Sequence, residues 1–370
     1  MLKISFFKNL LFLIIILMVC FFIFEGVYRI FNFPQYAYTS PIYYYNENIK
    51  MITLEPSITG SLQTNDVSIK INTNSHGMRD LERSYNKTDD TKRIALVGDS
   101  FVFGHVDFND TFGRRLQNYY NEDEVEILSF GVGGYNPNDY YNYIKKEVIN
   151  YSPDMVITFL YVGNDIVNLS QQDKNVVYNG YLVSNGSMNS AFAKQKFNLV
   201  IFLRKNIKSH AFFYELVYGK KIKESTVKGY VKAYSNNIQT NYNIEKVEYK
   251  IKEIDSFLKE RDIDHFVVIL PQKVQFLSDE EFNKTYVDYL RKNGNFSEMD
   301  YDLLYPQKEL KKYFKENEIL FLDTYPSLNE NFSLFFHGHD THLNAKGNEL
   351  TVKLIVRFIS QEYNSVFNGK

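Results

Sequence analysis

The sequence predicts a doubly wound parallel α/β sheet of five strands flanked by helices, preceded by one membrane-spanning helix. Three observations carry that prediction. The runs "RIALVGDS", "VEILSFG", "DMVITFLYVG", "HFVVILP" and "EILFLDT" each have the continuous apolar core of a strand buried on both faces, and each ends in small or polar residues. Segments of helical periodicity alternate with them, which is the pattern of a parallel sheet wound with helices on its two faces. Near the N-terminus, Leu10 to Phe24 is an unbroken apolar run that Phe6, Phe7, Val27, Tyr28 and Ile30 extend to membrane-spanning length.

The elements follow in order. Lys3 and Lys8 precede the apolar run and Glu25 and Arg29 follow it, so the excess of basic residues places the N-terminus in the cytoplasm and the remainder outside. The following "EGVYRIFNF" has no small-residue cleavage site, which favours a retained anchor over a cleaved leader. Cys20 is the single cysteine and lies inside the run after "LMV", where valine is larger than a lipoprotein site takes; it reads as a small apolar residue, and no intramolecular disulfide can form. Residues 31–92 read as a spacer and N-terminal extension, with short alternating stretches such as "VSIKINTN" that suggest strands.

From residue 93 to 370 the texture is that of the main domain. Helices are expected from about Asp110 through "TFGRRLQNYY", over "NPNDYYNYIKKEVINY" with Asn136 capping and Pro137 in the first position, over "VEYKIKEIDSFLKERD", and over "AKGNELTVKLIVRFISQEY". A polar, tyrosine-rich insertion at about 170–242 interrupts the alternation and carries two amphipathic helices, "FNLVIFLRKNI" and "HAFFYELVYG". It reads either as a lid or recognition cap over the sheet edge, or as a packing excursion or docking surface.

Composition narrows the function. With 44% apolar residues in 370, the chain can bury a substantial core, and 42 basic residues scattered among 44 acidic ones leave no electrostatic footprint for nucleic acid. There are 30 Tyr and 31 Phe but no Trp, a bias without a localised cluster.

Chemistry-bearing residues follow the strands. The first strand ends in Gly98-Asp99-Ser100, which projects a serine hydroxyl at the sheet edge, although an isolated "GDS" is more often a turn. The second ends in "SFGVGGYN", where Gly131, Gly133 and Gly134 let backbone amides approach a ligand. The third ends in Gly163-Asn164-Asp165, offering a side-chain amide. Near the C-terminus, "HGHDTHLNAKG" holds His337, His339, Asp340 and His342, residues that suit either zinc or a histidine base with its carboxylate. A nucleophile, oxyanion donors and an Asp-His pair at successive strand ends are what ester hydrolysis needs, whereas a metal site leaves the serine, the glycines and Asn164 without a role.

On these residues the sequence resembles the SGNH/GDSL hydrolase family, from about Arg93 to the C-terminal helix. The resemblance implies a flavodoxin-like fold with Ser100 as nucleophile, His342 as base and Asp340 as its partner. It also implies an oxyanion hole formed by Ser100, Gly134 and Asn164, with no cofactor and no metal. The family's last block usually has two residues between acid and base, where this chain has only Thr341; the Asp-x-His pattern resembles branches acting on acylated surface polysaccharides. Its second block often begins with asparagine, where this chain has Ser129. "INTNSHGMRD" resembles a lead-in of longer members and places Arg79 near the sheet without a catalytic role. His105 is expected to border the pocket, and His76, His210 and His265 read as surface or partly buried residues.

The function expected is therefore a membrane-anchored, outward-facing serine esterase that removes or transfers O-acetyl or other short acyl groups on cell-surface or secreted carbohydrate. Its partners would be the ester substrate and the membrane. The alternatives are a non-catalytic, membrane-anchored binding or assembly component of a surface-polysaccharide system, and a metal-dependent hydrolase built on the His-rich loop.

Overall fold

The computed structural model describes residues 2–31, 33, 38–88, 90–168, 175–214, 216–217, 229, 231, 233–292 and 301–363. Leu2–Ile30 forms one helix, and its Phe6–Ile30 stretch has a mean hydropathy of 3.0 with its side chains almost entirely outside the domain. At a rise of 1.5 Å per residue, 25 residues reach about 37 Å, enough to cross a hydrocarbon layer of about 30 Å.

The N-terminal extension consists of short strands, β1 (Tyr38–Thr39), β2 (Tyr43–Asn46), β3 (Met51–Leu54), β4 (Thr59–Gln63) and β5 (Ser68–Asn72). β2 and β3 form an antiparallel hairpin, and β1, β4 and β5 form a small antiparallel sheet. Alternation decides their faces: Leu62, Ile69 and Ile71 point inward into the main core, together with Ile42 and Leu54.

The main sheet comprises β6 (Lys92–Gly98), β7 (Val125–Gly131), β8 (Met155–Tyr161), β11 (Asp264–Leu270) and β12 (Phe321–Asp323), after an intervening hairpin of β9 (Asn175–Tyr178) and β10 (Tyr181–Ser184). All five strands are parallel, in the spatial order β12-β11-β8-β6-β7. This is the doubly wound arrangement, and the order reverses beside β6, where open α/β sheets bind ligands.

Successive residues of β6 serve opposite cores, which is why the strand reads as continuously apolar. Ala95 and Val97 join the core beneath the helices Pro137–Lys146, Ile238–Lys259 and Tyr305–Glu316. Ile94 and Leu96 join the core beneath Phe112–Gln117 and Ala345–Glu362. Asn136 caps the Pro137 helix through a capping box with Asp139, as its sequence suggests. The helix expected from Val247 begins at Ile238, where Asn237 caps it. Tyr305–Glu316 lies between the last two strands and was not anticipated, although Pro306 near its start and the Leu310/Phe314 spacing mark an amphipathic helix.

In the insertion, "FNLVIFLRKNI" falls mostly within the helix Ala191–Asn206. The second expected helix is present at 210–214 and 216–217, and its remaining positions lie outside the described residues.

Candidate active site

β6 and β7 end level with each other, Gly98 opposite Gly131. The loops that follow therefore emerge side by side, next to the reversal point between β6 and β8. Gly131 permits this closeness, because a Cβ there would lie 2.1 Å from the backbone nitrogen of Phe103. Asp99, fully buried, accepts from the Phe101 N–H at 2.9 Å and turns the chain into the short helix Ser100–Phe103. Burial pushes the Asp99 carboxyl up to about 6. Its other oxygen accepts from the Asn164 Nδ2 at 3.0 Å, which fixes the direction of that amide and leaves its second N–H available.

The loop after β12 closes on itself through a bridge between Phe336 and Leu343, with the His337 N–H donating to the His342 carbonyl at 3.1 Å. Asn344 fixes the loop from outside: its side chain caps Ala345–Glu362 and donates to the carbonyls of Leu334 and Phe336. Within the loop Asp340 Oδ1 accepts from its own neighbour, the His342 N–H, at 3.1 Å and also meets His342 Nδ1 at 2.5 Å. A spacer of one residue is thus sufficient for contact, because the carboxylate folds back in a turn of Asx type.

His342 Nε2 lies 2.8 Å from Ser100 Oγ, 242 residues away in the chain. Protonation follows from the partners. Burial alone would raise the Asp340 carboxyl, but hydrogen bonds from His105 and His342 hold it well below the usual carboxylate range, so it is ionised and only accepts. His342 Nδ1 must carry the hydrogen, which leaves Nε2 to accept from the serine hydroxyl.

Gly134 turns with φ +84°, a conformation that suits glycine, and Leu182 of β10 lies against it. Among the described residues, neither the Ser100 N–H nor the Gly134 N–H has an intramolecular acceptor. Ser100, Gly134 and Asn164 therefore stand on three adjacent strand ends with donors to spare, and Ser100, His342 and Asp340 are brought into one hydrogen-bonded line. Ser129 is inside β7, its N–H donating to Asp80 Oδ2 at 3.0 Å, and takes no place at the edge.

Three residues of the site lay beyond the sequence reading or were only glimpsed in it. His105 Nδ1 lies 3.0 Å from Asp340 Oδ2, and its ring stacks on His342 with centroids 3.7 Å apart. Burial, followed by the nearby His342, holds His105 below the ordinary histidine range and hence neutral, with Nδ1–H donating. Asp66, from the extension, accepts from the N–H groups of His339 and Asp340, each at 2.9 Å. Tyr43 of β2 carries its hydroxyl to 2.6 Å from where a Gly133 side chain would begin, a point 4.0 Å from Ser100 Cβ, and burial pushes its phenol up to about 12. Its position could not be inferred locally, since nothing in "IYYYN" distinguishes it from the other tyrosines.

Arg79, buried, donates to the carbonyls of Phe103, Gly104 and Val106 and so fastens the turn that carries His105. The three loop histidines do not meet at one point. His337 Nε2 donates to the His105 carbonyl at 2.9 Å, His339 faces Asp66 and only His342 faces the serine. Among the described residues the trio close enough to share an ion is His105, Asp340 and His342, whose facing nitrogens already occupy both oxygens of the carboxylate. His265 is buried between Asp255 and Thr158, while His76 packs on Tyr85 and His210 on Tyr214, consistent with structural roles.

No protein-family model matches the sequence, and no curated protein does. Solved structures that resemble this one include a GDSL-like lipase from Bacteroides thetaiotaomicron, 13% identical over 74% of this chain and 91% of that one, with a TM-score of 0.39. A catalytic mutant of an acetylxylan esterase from Geobacillus stearothermophilus is 13% identical over 77% of this chain and 100% of that one, with a TM-score of 0.38. A lipase from a goat rumen metagenome is 13% identical over 75% of this chain and 100% of that one, with a TM-score of 0.39.

Proposed function

We propose that the chain is a serine esterase of the SGNH type that cleaves short acyl esters, with carbohydrate O-acetyl groups as the preferred substrate class. The observation that carries this reading is the line Ser100 Oγ, His342, Asp340, with contacts of 2.8 and 2.5 Å, at the sheet's reversal point. In the reaction Ser100 Oγ attacks the ester carbonyl while His342 Nε2 takes its proton. Asp340 stabilises the imidazolium that forms. The carbonyl oxygen becomes an oxyanion facing the Ser100 N–H, the Gly134 N–H and the Asn164 amide, each donor worth about 3 kcal/mol in the transition state. His342 then returns the proton to the departing alkoxide, leaving an acyl-serine. Water, deprotonated by the same imidazole, releases the acid; a sugar hydroxyl in its place makes the same site an acyltransferase.

Two features support a small acyl group on a polar carrier. Tyr43 and Leu182 stand close over the glycine turn and leave little room on that side. Beside the same turn a cavity of about 330 Å³ is lined by Asn136, Asn142, Asn175, Lys146 and the ring of Tyr45, a set suited to hydroxyl-rich ligands. We further propose that Phe6–Ile30 anchors the chain with the domain extracytoplasmic, given Lys3 and Lys8 at its N-terminal end.

The test is turnover of an aryl acetate and of acetylated xylan by the full chain in detergent, wild type against Ser100→Ala. Ser100→Ala should lose at least about a thousandfold in kcat while keeping the thermal unfolding midpoint. Equal turnover by the two proteins rejects the serine mechanism.

A further inference from the structure

The last turns of the N-terminal helix are clamped to the insertion. Glu25 accepts from the N–H groups of Lys208 and Ser209, each at 2.9 Å, and Arg29 Nη2 donates to the Asn206 carbonyl at 2.7 Å. Arg29 Nε also donates to Glu25 at 2.6 Å, so the pair forms one polar latch. Beyond it the contacts are aromatic: the Phe24 ring lies 5.5 Å from Phe212 and 5.7 Å from Phe213.

These contacts set depth. Asn206 is level with Arg29, whereas Phe212 and Phe213 are level with Phe24, five residues further back along the apolar helix. At 1.5 Å per residue that is about 7 Å toward the middle of the span. The chain after residue 206 therefore runs from the polar end of the helix down its lipid-facing side. What it presents there is apolar: Phe212 and Phe213 are each 46% exposed, Leu216 73% and Val217 67%. Lys205, beside Asn206 at the end of its helix, lies near the level of Arg29, where headgroup phosphates would lie. The preceding helix, Ala191–Asn206, has no buried residue, and its contacts with the hairpin β9–β10 run through Phe197 against Tyr178 and Tyr181.

We propose that residues 208–214 together with 216–217 form a second membrane contact, inserting Phe212, Phe213, Leu216 and Val217 into the leaflet that the domain faces. This rests on the reading of Phe6–Ile30 as a membrane span. The occupant is lipid because Phe212 and Phe213 pack on Phe24, a residue of the span, and the exposed apolar side chains beside them lie at the depth that the latch dictates. One consequence reaches the catalytic edge. The hairpin whose Leu182 lies against Gly134 is tied through Ala191–Asn206 to the bilayer surface, so the roof of the site is held by the membrane as well as by the domain.

The experiment uses the full chain in vesicles of mixed phosphatidylcholine and phosphatidylglycerol, with an environment-sensitive fluorophore on a single cysteine. Three proteins are labelled: the wild type at Cys20, Leu216→Cys in a Cys20→Ala background, and Tyr249→Cys in the same background as an aqueous reference on Ile238–Lys259. Lipid spin-labelled high on its acyl chain should quench roughly half or more of the emission from positions 20 and 216, and little from 249, while aqueous iodide shows the opposite order. Position 216 is exposed, so its substitution spares the fold. If the label at 216 follows that at 249 while the label at 20 is quenched by lipid, the second contact is refuted and the span stands. If the label at 20 is itself reached by iodide and not by lipid, the span reading falls and the second contact falls with it.

Discussion

Among the side chains of the site, Asp340 holds two imidazoles, not one. Its oxygens take His342 at 2.5 Å and His105 at 3.0 Å, and the rings stack 3.7 Å apart. When His342 accepts the serine proton, a charged neighbour at that distance would oppose it, so a neutral His105 that donates only to the carboxylate is the useful state. In the proposed mechanism His105 is thus a positioning residue. His105→Ala should lower kcat on an aryl acetate about tenfold with KM nearly unchanged, while His105→Asn, whose amide can still donate to Asp340, should recover most of the loss. Equal losses in the two variants would mean that ring packing alone matters. The contrast with the sequence is physical. Ser100, Asn164 and the Asp340/His342 pair were legible because each follows a strand end or sits in a compact loop. His105 was placed only near the pocket, and Asp66 not at all, since it meets His339 across 273 residues and no local pattern encodes that contact.

The elements were legible where burial is symmetric. β6, β7, β8 and β11 read as continuous apolar runs because both of their faces are covered, whereas β12 at the sheet's edge is only partly buried and shorter than its run suggested. The insertion was less legible because its helix Ala191–Asn206 buries nothing in the domain, so its apolar residues did not report which face was inward. A close junction between elements is that of β7 with the helix Ser100–Phe103. A methyl group at Gly131 would meet the backbone of Val102 and Phe103, and backbone there cannot yield without moving Ser100. Gly131→Ala should therefore cost about 2–3 kcal/mol and most of the activity together. Gly134→Ala meets only the flexible end of Leu182, so its cost is the left-handed φ alone, about 1–2 kcal/mol. Urea unfolding of both variants checks the order, and a Gly131→Ala midpoint equal to wild type would show that the junction is slack.

For the molecule as a whole, the question is whether the N-terminal helix is cargo or part of the architecture. Among the described residues the two hydrophobic cores begin at Ile42 and Ile94 and draw no side chain from the N-terminal helix, so the sheet and its edge have their own driving force for folding. The insertion does not share that independence. Without the helix, the Lys208 and Ser209 N–H groups lose the Glu25 carboxylate, the Asn206 carbonyl loses Arg29, and Phe212 and Phe213 lose Phe24. Losing a latch of this kind raises local opening without unfolding the core. A chain beginning at residue 31 should accordingly keep its aryl acetate turnover within about twofold, yet be cut by trypsin after Lys205 and Lys208 at least about tenfold faster than the full chain in the same detergent. Equal cutting would make the helix a mere tether. Loss of turnover together with fast cutting would show instead that the hairpin over Gly134 depends on the latch, and that the N-terminal helix reaches the site through Ala191–Asn206.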